Sequence, residues 1–190
     1  MSDVVKVVRT KGHAIVIKYD KDADSPREWS NLGKLFLRTR SVNNQECTED
    51  EMRSARVRVP VYKYEHSGIV LKASLNGNPF SCPWDSCMAG YIVASAEDIR
   101  KEYNVKRITK KVVEKVVDVL EGEIDTYNQW IEGEVYGFEI YRVSDDVDDD
   151  CVEQEGEWVD SCWGFYSVED AVADGIGSIR SSVAEEVVAS

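Results

Sequence analysis

The sequence predicts an α+β fold: a single domain, with a mostly antiparallel sheet packed by one long amphipathic helix at about 109–132 and by a helix at the C-terminus. Three observations predict it. Short β-branched stretches with period-two alternation recur, as where Val57, Val59 and Val61 alternate with Arg56, Arg58 and Pro60. Val113, Val116, Val117, Leu120, Ile124, Tyr127 and Ile131 line one face of a helix. The order of elements, β-β-α-β-β-β-α-α-β-β-α, lacks the regular alternation of a parallel βαβ protein.

Each element has a local reason. The stretches 4–8 and 15–19 flank Gly12 and read as a hairpin. A polar turn at 20–26 ends in Pro26, which suits the first turn of a short helix at 27–35. Residues 41–56 are polar and charged and read as a loop with some helix. Strands follow at 57–64 and 68–74. Pro60 places the first at a sheet edge or strand boundary, because proline cannot donate to a ladder. Asn76-Gly-Asn-Pro79 is a turn cluster, and 90–94 a short buried strand. Ser95-Ala-Glu-Asp98 has capping spacing before a short helix, and Gly133 stands where the long helix needs a C-terminal cap. A strand at 135–143, an acidic hairpin loop or flexible insert at 145–157 and a returning strand at 158–166 complete the sheet. Ser167-Val-Glu-Asp170 opens the last helix, in which Val168, Ala171, Val172 and Ile179 pack. Gly175 and Gly177 weaken it, and its end at 185–190 is expected to fray.

The 190 residues suit one domain with a true core, and 43% apolar composition excludes a disordered chain. No apolar stretch is long enough to cross a bilayer, and no secretory pattern opens the chain. Five cysteines, an odd number, argue for a reducing compartment, so a cytoplasmic protein is expected. The net charge of −13 is unevenly laid out. Residues 1–115 hold 21 basic and 15 acidic side chains, whereas residues 116–190 hold 2 basic and 21 acidic. Direct nucleic-acid binding through the acidic part is disfavoured, because phosphates need lysine and arginine to neutralise them. A partner with a basic surface fits it instead. Nothing in the sequence sets an oligomeric state.

Four motifs carry candidate chemistry. Tyr62-Lys-Tyr-Glu-His-Ser-Gly68 puts His66 and Ser67 at a strand end, and Pro79-Phe-Ser-Cys-Pro-Trp-Asp-Ser86 follows it. A nucleophile at Cys82 or Ser86, His66 as base and Asp85 or Asp160 as orienting carboxylate form a coherent catalytic set. The competing reading is a rigid loop held by Trp84, with the cysteines packing as small apolar residues. In Asp160-Ser-Cys-Trp-Gly-Phe-Tyr166, Asp160 stands at a pocket rim or caps a turn, while Trp163 and Phe165 fill the core. The acidic loop contributes Asp145, Asp146, Asp148, Asp149, Asp150, Glu153, Glu155 and Glu157. Asp146, Asp148, Asp150 and Glu157 fall at positions 1, 3, 5 and 12 of a calcium-binding loop, but Cys151 takes the glycine position. A solvated acidic face is the better reading, and no metal is expected. No Walker loop, dinucleotide fingerprint, zincin motif or nucleophile elbow occurs, so no cofactor is expected.

Taken together, Ser25-Pro-Arg-Glu-Trp29-Ser-Asn-Leu-Gly33, Tyr64-Glu-His-Ser-Gly68, Pro79-Phe-Ser-Cys-Pro-Trp-Asp-Ser86, Gly90-Tyr-Ile92, Gly133-Glu-Val-Tyr-Gly-Phe138 and Asp160-Ser-Cys-Trp-Gly-Phe-Tyr166 resemble a family of small proteins encoded by bacteriophages and other mobile elements. The likeness spans about residues 19–166. Ser30 departs from the aspartate of that pattern, and Cys87-Met-Ala89 from a glycine-containing stretch. The resemblance implies a viral protein acting in host cytoplasm and names no chemistry. Its recurring polar set is Arg27, Glu28, His66, Ser67, Asp85, Ser86, Glu134 and Asp160, and the binding candidates beside the catalytic set are Arg27, Glu28, Trp29, Ser67, Trp84, Glu134 and Trp163.

The expected function is that of a phage-type accessory protein whose acidic face engages a basic host protein that handles nucleic acid or serves in defence. The alternatives are a small Cys/Ser-His hydrolase or transferase, and a small-molecule or metal-binding module.

Overall fold

The computed structural model describes residues 3–188, with side chains as far as residue 180. In chain order the elements are β1 (Val4–Thr10), β2 (His13–Tyr19), a 3-10 turn (Pro26–Glu28), β3 (Lys34–Arg38), β4 (Asn43–Gln45), α1 (Glu49–Ser54), β5 (Val57–Glu65), β6 (Ile69–Ala73), β7 (Ser86–Ala94), α2 (Ala96–Glu102), α3 (Lys110–Glu132), β8 (Tyr136–Arg142), a second 3-10 turn (Asp149–Cys151), α4 (Val152–Glu155), β9 (Glu157–Phe165) and α5 (Val168–Val188). The class is α+β, with the long helix and the C-terminal helix where the sequence puts them. The strands divide over two antiparallel sheets rather than one. The chain forms two compact units: a split unit of 1–24 and 133–190, and an inserted unit of 25–132.

The split unit holds a four-stranded sheet of order β1-β2-β8-β9. Ile15, Ile17, Phe138 and Ile140 alternate onto one face and pack with Ala171 and Ile179 of α5. Gly175 lets the helix approach closely here, since a Cβ on it would lie 3.0 Å from Ile15 Cγ2, tighter than an ordinary contact. Ala14, Val16 and Tyr141 alternate onto the other face, where Val143 and Val152 join them.

The inserted unit holds a five-stranded sheet of order β4-β3-β7-β5-β6. Val116, Leu120 and Ile124 of α3 are fully buried against Leu35, Leu37, Val59, Val61, Leu71 and Ile92. Each large apolar side chain so buried stabilises by about 2 kcal/mol relative to exposure. On the opposite face Phe36 and Val93 pack with Cys47 and with Met52 of α1. The outer strand β6 does not end in an open ladder at its centre. The buried amide of Asn128, on α3, accepts from Leu71 N at 2.8 Å and donates to Leu71 O.

Five local expectations need correction. The helix at 27–35 is one 3-10 turn followed by β3, because burial of Leu35, Phe36 and Leu37 against β7 outweighs the local preference. Residues 41–56 hold β4 and α1, and α1 opens on a capping box in which Thr48 Oγ1 accepts from Glu51 N and Glu51 accepts from Thr48 N. Pro60 lies inside a central strand. Its carbonyl accepts from Ser74 N, past the end of β6, so its missing N–H falls on that side, outside the ladder. The segment 145–157 is the loop of the β8–β9 hairpin rather than a flexible insert, and it folds as a 3-10 turn and α4 with Val152 fully buried. Trp163 does not fill the core but is 42% exposed, while Phe165 does pack under α5. The last helix runs to Val188, and residues 189–190 of the tail expected to fray lie outside the described residues.

Candidate functional site

Four of the five predicted catalytic residues meet where β5 turns into β6 and the 74–85 loop returns into β7. Asp85 is the centre. Its Oδ2 accepts from Cys82 Sγ at 3.1 Å and lies 3.8 Å from His66 Nδ1. Ser86 Oγ donates to Cys82 O at 2.5 Å and accepts from Asn78 Nδ2 at 2.8 Å. Asn78 Oδ1 accepts from Phe80 N at 3.0 Å, and the Phe80 ring lies 5.6 Å from that of Tyr64. The cysteine therefore faces a carboxylate, not the imidazole, which itself is largely exposed. A thiol reacts as the thiolate, which a cationic neighbour favours and an ionised carboxylate beside the sulfur opposes. This order of contacts instead braces a loop. The braced loop holds Trp84 92% exposed. Ser67 sits in the turn where His66 N donates to Gly68 O. Asp160 belongs to the split unit, in mid-strand on β9, where its Oδ1 accepts from Ser161 N. It caps no turn.

Arg27 is occupied within the inserted unit. Its guanidinium donates to Glu46 at 2.7 and 3.0 Å, to Glu123 at 3.0 Å and to Gly33 O at 2.7 Å, with the side chain 5% exposed. Glu123 Oε1 accepts from Leu32 N and Gly33 N, and Glu46 Oε2 accepts from Leu35 N. Burial opposes the charge on Arg27, but the bonds to both glutamates outweigh it and raise the pKa further. Gly33 leaves no room for a side chain, since an added Cβ would lie 2.5 Å from Leu120 Cδ2. Glu28 and Trp29, the next residues of the same motif, are exposed.

The structure also redraws the charge map. The split unit carries 20 acidic and 7 basic side chains, a net of −13, and the inserted unit carries 16 of each, a net of zero. The division seen along the chain at residue 115 cuts α3, whereas the division in space follows the units.

Within the split unit the acidic segment is docked onto the sheet by cations of β1 and β2. Arg9 Nε donates to Asp149 at 2.7 Å and its Nη2 to Val147 O at 2.5 Å, while Asp145 accepts from Gly12 N at 3.4 Å. Lys18 donates to Glu139 at 2.6 Å and to Glu153. Burial opposes charge on Lys18, but these two bonds outweigh it and hold the ammonium above its ordinary pKa. Burial likewise opposes charge on Glu139, and bonds from Lys18 and Tyr141 outweigh it and hold the carboxyl below its ordinary value. Burial first, then the 2.6 Å bond from its hydroxyl to Glu139, push the Tyr141 phenol up to about 12. Arg142 pairs with Glu157 at 3.4 Å, and Ser144 bonds Asp146. Asp148, Asp150 and Glu155 are exposed, as is Glu134 before β8.

Beside Lys18 opens a cleft of about 480 Å³. Trp163 and Tyr19 are among its lining residues, and the Tyr19 ring itself lies 5.4 Å from that of Tyr136. The carboxylates of Asp3, Asp20, Asp22 and Glu139 and the ammoniums of Lys18 and Lys21 line the rest. The body of the Trp163 indole lies across Gly137, where a Cβ would come within 2.1 Å of Cε3 and 2.4 Å of Cδ2. Sequence reasoning finds Trp163 here and misses Lys18, Tyr19, Asp20, Glu139 and Gly137. The available signal was the Gly137 inside a strand, which marks close approach of another group. Among the described residues no cluster of three or more histidine, cysteine or acidic side chains has metal-binding geometry, and no helix is long and apolar enough to cross a membrane. Comparison of the chain with protein-family models, with curated proteins and with solved structures returns no match.

Proposed function

We propose that this chain is a phage-type accessory protein acting through protein–protein contact in host cytoplasm. Its split unit engages the basic surface of a host protein that handles nucleic acid or serves in defence. One observation carries the reading: the whole net charge of −13 coincides with one compact unit, while the other is neutral. A charge surplus concentrated on one folded body raises encounter with an oppositely charged patch and resists wrong partners. The order of contacts around Cys82 gives a hydrolase or transferase no comparable support.

The test is capture from host lysate on the immobilised full-length chain, at about 50 mM and about 500 mM salt, with and without competing duplex DNA. The expected result is a basic nucleic-acid-binding protein that is retained at low salt, shed at high salt and displaced by DNA. Retention that ignores both salt and DNA, or an empty lane at low salt, overturns the reading.

A further inference from the structure

We infer that the cleft beside Trp163 is the seat of one arginine side chain from the basic partner, so that the split unit reads a guanidinium there and attracts the remaining positive charge diffusely. The inference rests on the acidic unit being the partner-binding one and adds where and how it binds.

Three features of the cleft select this occupant. Trp163, 42% exposed, offers aromatic surface in a unit whose exposed residues are mostly charged. Gly137 fixes the indole: the ring lies across a backbone position that has no Cβ, so one side is supported by the strand and the other is turned to the cleft. A cation over such a ring is attracted by its quadrupole, and a planar guanidinium stacks on it better than an ammonium does. The charge of the lining then fits a cation. Four carboxylates face two ammoniums, and both ammoniums are held within the protein, Lys21 by Asp3 and Lys18 by Glu139 and by Glu153 outside the cleft. Asp20 and Asp22 line the same cleft as Trp163; Asp20 Oδ1 accepts from Asp22 N at 3.2 Å, and the two carboxylates keep further oxygens for a fork of N–H donors. An anionic ligand would meet the surplus carboxylates, and an apolar one would leave them desolvated.

The test uses the full-length chain and a blocked hexapeptide of alternating glycine and arginine, with lysine and citrulline versions. Titration calorimetry gives affinity, and the Trp163 indole N–H signal gives location. The expected order is arginine above lysine above citrulline, with the indole signal shifting on arginine peptide. Trp163→Leu and the pair Asp20→Asn with Asp22→Asn should each lower arginine-peptide affinity by about three- to tenfold and flatten the arginine-over-lysine preference. Gly137→Ala, which displaces the ring without touching charge, should do the same. Asp145→Asn with Asp146→Asn and Asp148→Asn should weaken all cationic peptides together and leave the preference intact. Arginine peptide binding that is unchanged in the cleft variants but weakened in the acidic-turn variant overturns the cleft and leaves the acidic-unit reading standing. Failure of every cationic peptide to bind at low salt overturns both.

Discussion

The inserted unit and the split unit are built from the same materials, an antiparallel sheet with a long helix on one face, yet they use charge in opposite ways. In the inserted unit the sixteen basic and sixteen acidic side chains balance. The buried guanidinium of Arg27 is divided between two glutamates that also hold backbone N–H groups. Charge there is structural. In the split unit the acid is in surplus. A few cations, Arg9, Lys18 and Arg142, dock the acidic segment, and the remaining carboxylates lie on the surface. The difference teaches that net charge alone does not mark a working surface. A carboxylate bound to an arginine and two amides is part of the scaffold, and a carboxylate left over in a cleft beside an exposed indole is free for a partner.

The comparison breaks most sharply at Arg27. Arg27→Met removes the cation between Glu46 and Glu123 and leaves two carboxylates in a largely closed site. Denaturant unfolding should register a loss of about 3–5 kcal/mol. A loss below about 1 kcal/mol would mean that this arginine is no more structural than a surface one. Next in size is Asn128→Leu, which keeps the volume but leaves the N–H and C=O of Leu71 without partners. It should cost about 1–3 kcal/mol and speed hydrogen exchange at Leu71. A neutral result would show that the amide does not seal the strand.

The smallest effect sharpens the other side of the comparison. Tyr141 holds its proton more tightly folded than unfolded, so its contribution is fully present below the ordinary value of 10.0 and is lost as pH rises toward about 12. Glu139 has the opposite sign: its contribution is present above the ordinary 4.5 and is lost as pH falls below it. Tyr141→Phe should remove about 1 kcal/mol at neutral pH and abolish the alkaline phase in a pH series of thermal unfolding. An unchanged alkaline phase would place its origin outside the Lys18–Glu139–Tyr141 network.

Much of the fold was legible where local chemistry and tertiary packing agree. The α3 face, the Gly133 cap and the Ser95 and Ser167 caps are local signals, and each stands where the pattern puts it. The segment 27–35 was illegible because Leu35, Phe36 and Leu37 are apolar without alternation, and a strand buried on both faces cannot be told from a helix by period alone. Thr48-Glu-Asp-Glu51 was a readable capping box passed over among charged neighbours. At the candidate sites, turns on adjoining strands set His66, Cys82, Asp85 and Ser86 side by side and leave Asp160 on β9 of the other unit, whereas the sequence named all five as one set without showing that they meet. It could not order their contacts, because which group faces the sulfur depends on rotamers of a braced loop.

By itself, the sequence determined the α+β class, the two principal helices and the surplus of acid, for these follow from periodicity, capping and composition, which are properties of neighbours along the chain. Only the tertiary structure decided that the strands form two sheets and that Arg27 is a clamp rather than a contact residue. It alone located the net charge on one unit and set Trp163 across Gly137. Those outcomes depend on segments distant along the chain, such as β2 pairing with β8 or Arg27 with Glu123, and no local pattern encodes which distant segment will supply the partner.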